Sequence, residues 1–301
     1  MKVTIAMKEQ VLELDRRYRS TWDAHALAHV VKLSHTTVAK ILRELRGPRP
    51  KRVKQPHTQR TRFIRRDVMW SSDFTHIGWG WLLLRTMDEH SGYILGWDLV
   101  RSEAAMAVLE HAGSILERTG RAPLVWKYDH GSGFTSDVFQ CLLESEGIVP
   151  YPIAPRSPWI NGRTEREHQE MHNWLLPLAG KELEKAELER EITDGMLVRN
   201  YVKPRACLGF RKSAEVYFGK DAELNVDDEL RGWLAQEMIN AKCSFGTDDP
   251  EEVYEIKRSE ERRHRKAVRV ALKKLGLYEE WDTAAQDWPS EAESVNRTVG
   301  I

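Results

Sequence analysis

The sequence predicts an α/β protein: a mixed five-stranded sheet with flanking helices, preceded by an all-α unit and followed by a helical extension. Three observations carry this. Residues 7–46 show only helical periodicity. From Val68 the pattern switches to short β-rich runs separated by hairpin-length turns. After the third run, strands and amphipathic helices alternate, as a mixed layered core requires. The chain divides accordingly into residues 1–47, a basic linker over 48–67, a core over 68–180, a helical extension over 181–275 and an acidic tail over 276–301 with the composition of a disordered segment.

In the first unit, Val11, Leu14 and Tyr18 fall at helical spacing, a second run covers Asp23 to Val31, and a third covers His35 to Leu45. Ser34 is a good N-cap, because its hydroxyl accepts from the free N–H groups of the first turn. Small Ala26 and Ala28, a tight connection, and inward-facing Val38, Ile41, Leu42 and Leu45 fit a helix-turn-helix. In that geometry His35, Thr36 and Thr37 meet base edges while Lys40 and Arg43 lie nearer phosphates. The bland alternative is a three-helix packing unit without DNA contact. His25, His29 and His35 lack a cysteine pair, which favours solvent-facing or capping roles over zinc.

Gly47 and Pro48 end the third helix. Residues 46–66 then carry nine Lys or Arg and no acid, among them Arg49, Lys51, Arg52 and Lys54. Such a run reads either as a solvated linker or as a segment tracking a phosphate backbone; its position favours the second.

The core begins with strands over 70–77, 81–88 and 93–100, joined by Gly78-Trp79-Gly80 and Glu89-His90-Ser91-Gly92. A helix over 102–118 follows, with Ser102 as cap and Gly120 beyond its end. Leu124 to Tyr128 is a strand ending at Asp129, Thr135 to Glu146 a helix closed by Gly147, and Ile148 to Ile153 a fifth strand. A proline-rich loop leads into a helix opened by Glu165. Further helices are expected over 181–200, 226–242 and 250–275, the last starting at Pro250 after a Thr247-Asp248 cap. That helix has nine Lys or Arg between 257 and 274, including Arg262, Arg263, Arg265 and Lys266. A solvated face, an oligomer contact and a second DNA contact all fit it.

Composition narrows the class. Hydrophobic content of 41% with 31% charged residues is that of a highly charged globular protein, and the formal net charge is zero. Zero net charge does not exclude nucleic acid, since binding depends on phosphates neutralised locally. Cys141, Cys207 and Cys243 form no CxxC pair, which points to buried or half-buried free thiols in a reducing compartment. No apolar run approaches a membrane span and no signal peptide is evident, so the expected location is cytoplasmic.

The chemistry-bearing residues are carboxylates. Asp73 lies inside the first strand, Asp129 ends the fourth, and Glu165 stands in the first turn of a helix, with thirty-five residues between the last two. Two Mg²⁺ or Mn²⁺ ions can drive an in-line phosphoryl displacement and need only a few oxygen ligands from the protein. Asp73 is expected to bridge both ions, with Asp129 and Glu165 holding one each.

Trp70-x-x-Asp73-Phe-Thr, Asp88 ahead of Ser91, Asp129-His-Gly-Ser-Gly-Phe134 and Ser157-Pro158-x-x-Asn161-Gly162-x-x-Glu165-Arg166 together resemble the retroviral-integrase-type core of bacterial insertion-sequence DDE transposases. Asn200-Tyr201, Pro204-Arg205, Leu208-Gly209 and Ala214-Glu215-x-Tyr217 resemble the segment those proteins carry after the core. The resemblance spans about residues 66–220. It implies an RNase H-like fold, Asp73, Asp129 and Glu165 as catalytic metal ligands, and metal-dependent cleavage at an element's end. The freed 3′-OH then attacks target DNA, with no covalent protein–DNA intermediate. A homo-oligomer on DNA is implied by the need to hold two ends. Departures are His130 for the usual Asn and Gly133 for an acidic or amide residue. Gln169 and His172 stand where Arg or Lys often grips the DNA end, with Glu167 and Glu170 adding negative charge; Arg163 and Arg166 are the alternative grip. A same-fold nuclease and a catalytically silent DNA-binding protein are the alternative functions.

Overall fold

The computed structural model describes residues 3–47, 59–153, 162–245 and 253–282, and the side chains of all of these except 59, 162–165, 253–258 and 282. The first unit is three helices, α1 (Ile5–Arg17), α2 (Ala24–Val31) and α3 (His35–Arg46). Ser34 caps α3 as expected, accepting from the Thr37 N–H, and Asp23 likewise caps α2 by accepting from the Ala26 N–H. Lys32 takes a left-handed conformation that lets the chain turn sharply between α2 and α3. Val11, Leu27, Val38, Ile41 and Leu42 close a small core. Leu45 does not join it: it is 50% exposed, on the outer side of α3, while its neighbours Glu44 and Arg46 pair with Lys8 and Asp15 of α1.

The central sheet comprises β2 (Met69–Gly78), β3 (Trp81–Asp88), β4 (Ile94–Val100), β5 (Val125–Tyr128) and β6 (Val149–Pro152), in the order β4-β3-β2-β5-β6. A separate short strand, β1 (Gln59–Phe63), precedes it. The first three sheet strands are antiparallel neighbours, whereas β5 runs parallel to β2 and β6 parallel to β5. The β2–β3 hairpin passes through Gly78, Trp79 and Gly80, all at positive φ; glycine at two of the three confines the strain to Trp79. Helix α4 (Ala105–Thr119) and α5 (Asp137–Ser145) cover one face around Trp70, Trp126, Phe134 and Phe139. The α4 start differs from expectation. Ala104, not Ser102, is the N-cap residue, and it has no side-chain cap bond.

Helices α6 (Gly162–Leu175) and α7 (Lys185–Leu197) pack on the opposite face, with Met171, Trp174, Leu188 and Ile192 meeting Leu83, Met87 and Ile94. This mixed five-stranded sheet with helices on both faces is an RNase H-like core. The last turn beyond α7 widens into a π-helix over Val198–Val202. Short α8 (Ser213–Tyr217) follows, then α9 (Asp228–Ser244) and α10 (Val253–Lys274). The Thr247-Asp248 cap and Pro250 lie outside the described residues. Helix α10 buries Ala267, Val268, Ala271 and Leu272 against Leu234 and Met238 of α9, so one face of this basic helix is core.

The two charged ends meet. β7 (Tyr278–Asp282) pairs antiparallel with β1, setting Glu279 opposite Arg62 and Glu280 opposite Thr61. The start of the acidic segment is therefore a strand, while 283–301 lie outside the described residues. Opposite charge across the strands favours this register. Arg66, at the end of the basic run, is also structural: it is buried, donates to the Tyr217 carbonyl and pairs with Glu223. Cys141, Cys207 and Cys243 are all exposed rather than buried, two of them on outward faces of α5 and α9.

Candidate catalytic site

Strand register builds the site. β2 and β5 pair Met69 with Val125, Trp70 with Trp126 and Ser71 with Lys127. Continuing that register by two residues sets Asp129 level with Asp73. Side chains alternate across a sheet, so the parity that puts Trp70 and Trp126 into the α4–α5 core puts Asp73 on the α6 face. Neighbouring strands lie about 4.8 Å apart, so the backbone positions of the two aspartates are close.

Asp129 ends its strand and starts a turn, accepting from the Gly131 N–H at 2.9 Å. The turn needs glycine at 133: a Cβ there would stand 2.6 Å from Val108 Cγ2 and 2.8 Å from the Glu103 carbonyl oxygen. The departure at this position thus has a steric cause, the close approach of the α4 start. Glu103 itself comes near the aspartate, since its Oε2 and Asp129 Oδ1 would each lie 3.0 Å from a Cβ at Gly131. His130 faces away, 3.8 Å from Glu261 on α10.

Helix α6 crosses β2 at Asp73. His168 Nε2 is 3.9 Å from Asp73 Oδ2, and no hydrogen-bond partner reaches this enclosed nitrogen. Burial, with Arg85 and His172 adding repulsion, lowers the His168 pKa to about 3. Arg85, opposite Asp73 on β3, is buried and lowered to about 10 by burial, and so stays charged at neutral pH. Glu165 lies on α6 one turn before His168; its side chain, like that of Arg163, is outside the described residues. Among the described residues no three His, Cys, Asp or Glu side chains converge as a metal cluster. The donor chemistry still suits a divalent cation: the enclosed His168 Nε2 lies 3.9 Å from Asp73 Oδ2, and Asp129 follows the end of the strand that pairs with β2.

The other side of α6 is a buried charge cluster. Glu167 pairs with Arg199 and, at 2.6 Å, with Arg205. Burial alone would raise its pKa, but Arg199, Arg205 and Arg85 outweigh that and hold it well below the usual carboxylate range. Glu170 pairs with Lys203 at 2.7 Å. The negative charge expected from Glu167 and Glu170 beside the substrate is therefore neutralised internally. Arg199 also donates to the Gly92 carbonyl, and the Asn200 side chain bonds both backbone groups of Ile94 at 3.0 Å. The segment after the core is thus what locks α6 to the sheet.

Arg166, Gln169 and His172 are exposed on α6. On α3, His35, Thr36, Lys40 and Arg43 are exposed, but His35 stacks on His25 and the Thr37 hydroxyl bonds Ser34 at 2.7 Å. Arg49, Lys51, Arg52 and Lys54 lie outside the described residues. His168 went unnoticed in the sequence although helical spacing marks it, three residues after Glu165 and hence on its face.

Residues 65–158 match the integrase core domain. That match covers 94 of the chain's 301 residues. The chain is also 30% identical over 167 residues to the Gag-Pro-Pol polyprotein of squirrel monkey retrovirus, covering 52% of this chain but only 9% of that polyprotein. Among solved structures, the simian T-cell lymphotropic virus intasome in complex with PP2A regulatory subunit B56 gamma aligns with a TM-score of 0.49 at 16% identity, over 72% of this chain and 77% of that one. The catalytic core of BIV integrase aligns at 0.42 and 21% identity, over 50% of this chain and 93% of its own. The HTLV-2 integrase core in complex with magnesium aligns at 0.42 and 18%, over 52% and 99%.

Proposed function

We propose that this chain is a DNA transposase or integrase of the bacterial insertion-sequence type, which cleaves an element's end and joins the freed 3′-OH to target DNA. The observation that carries it is Asp73 beneath α6 on β2, with Asp129 directly after the parallel neighbouring strand β5. The integrase-core match over 65–158 supports the same class. Asp73, Asp129 and Glu165 would hold two Mg²⁺ or Mn²⁺ ions, which supply activation of the attacking oxygen and stabilisation of the leaving oxygen. The protein's own part is placement. Arg85 and the sheet fix Asp73, the Gly131 N–H orients Asp129, and the Glu167 cluster holds α6 against β2.

The α1–α3 unit acts as a helix-turn-helix, with exposed His35, Thr36, Lys40 and Arg43 on the helix presented to DNA and Thr37 beside the cap. Arg49, Lys51, Arg52 and Lys54 neutralise phosphates nearby. Arg163, Arg166, Gln169 and His172 flank the end being cut. Two ends must be held together, so the working species is a homo-oligomer on DNA. No described helix is long and apolar enough to cross a membrane.

The test is a joining assay with an oligonucleotide bearing the element's end, in Mg²⁺ or Mn²⁺. Strand-transfer products that vanish in Asp73→Asn, Asp129→Asn and Glu165→Gln, with DNA binding intact, are expected. Cleavage without joining would reduce the protein to a nuclease, and metal-independent binding alone would make it a regulator. Full activity in Glu165→Gln would remove that residue from the ligand set.

A further inference from the structure

We infer that His168 is a nitrogen ligand of the ion held at Asp73, which tunes the site toward Mn²⁺ or a similar transition ion over Mg²⁺. The inference rests on the reading that Asp73 and Asp129 hold metal. Its own ground is the imidazole. His168 is 17% exposed at its side chain, its Nε2 is fully enclosed, and that atom has no hydrogen-bond partner. Enclosed polar atoms are almost always paired, so an orphan beside a carboxylate calls for an explanation. Asp73 is not the missing partner, because 3.9 Å is too long for a hydrogen bond.

The same distance suits two donors to one ion. With bonds of about 2.1 Å, adjacent donors around an octahedral ion stand about 3.0 Å apart and opposite donors about 4.2 Å. The observed separation is about 0.3 Å short of the opposite arrangement, a shift that small side-chain rotations supply. Position supports it too: His168 is three residues after Glu165, on the helix face that meets β2 at Asp73. Mg²⁺ prefers oxygen ligands and keeps its waters, whereas imidazole favours transition ions. A site of carboxylates plus one imidazole therefore shifts preference toward Mn²⁺.

The test uses the full chain, stripped of metal and without DNA, titrated with Mn²⁺ and followed by electron paramagnetic resonance. Pulsed spectra of the bound ion should show a ¹⁴N coupling in the wild type. That coupling should vanish in both His168→Leu and His168→Gln and persist in His130→Gln. Mn²⁺ affinity should fall about tenfold in the His168 variants, with Mg²⁺ affinity by competition nearly unchanged. Bound Mn²⁺ without nitrogen coupling, or a coupling that survives in His168→Gln, overturns the role of His168 while leaving the carboxylate site standing. Failure of the wild type to bind Mn²⁺, or equal binding by Asp73→Asn, overturns the carboxylate reading and this one with it.

Discussion

Replacing Glu167 with Gln should destabilise the chain more than any single change on the exposed face of α6. Glu167 has no exposed side-chain surface, and Arg199 and Arg205 beside it are nearly as buried. Gln keeps the shape but removes the charge, leaving two guanidinium groups buried with no carboxylate between them. Removing one partner of a buried ion pair costs about 3–5 kcal/mol, because the remaining charge stays uncompensated. With about 2–4 °C per kcal/mol for a large domain, the melting temperature should fall by roughly 6–20 °C. Glu170→Gln, at a pair 20% exposed on the Glu side, is the milder comparison. The assay is urea unfolding of both variants at neutral pH, followed by cleavage at a temperature where each remains folded. Cleavage should fall while DNA binding persists, since α6 loses its anchor. Acid sharpens the test. The folded pKa of Glu167 is depressed, so its stabilisation is present above the unfolded value and is lost as pH falls through the folded one. The gap between wild type and variant should therefore close only in strong acid. A loss below about 1 kcal/mol at neutral pH would refute the argument, placing Glu167 among pairs that contribute little.

Three further outcomes are expected. Gly133→Ala should cost about 1–3 kcal/mol by overpacking against Val108 and the Glu103 carbonyl, read by urea midpoint; an unchanged midpoint would show that the α4 start yields freely. Asp88 is fully buried, and burial raises its pKa to about 7 despite three hydrogen bonds from Ser91 and Asp67. Its contribution is fully present below the unfolded value and is lost as pH rises through the folded one, so wild-type stability should decline from about pH 4 to about pH 7 relative to Asp88→Asn. Parallel pH profiles for the two proteins would contradict this. Lys40→Ala with Arg43→Ala should weaken DNA binding and lower the salt dependence by about two counterions, measured by fluorescence anisotropy across salt; an unchanged slope would exclude α3 from phosphate contact.

The sequence by itself determined the order of the elements of the central sheet and its helices, most strand bounds there to within a residue or two, the caps at Ser34 and Gly120, and the three carboxylates worth watching. These are local properties: period-two and helical patterns, capping hydroxyls and turn glycines act over a few residues and can be read in one dimension. Tertiary structure decided the rest, because it depends on which distant residues meet. Only the parallel pairing of β2 with β5 sets the strand that holds Asp73 beside the one that leads to Asp129, and the approach of the α4 start explains Gly133. Pairing of β1 with β7 turns the start of an apparent acidic tail into a strand, through contacts more than two hundred residues apart. The burial of Glu167 among arginines from beyond the core converts what looks like repulsive charge on α6 into the clamp that holds it. His168 shows the boundary most sharply. Its helical spacing was legible, but the orphaned nitrogen beside Asp73 exists only once α6 lies across β2.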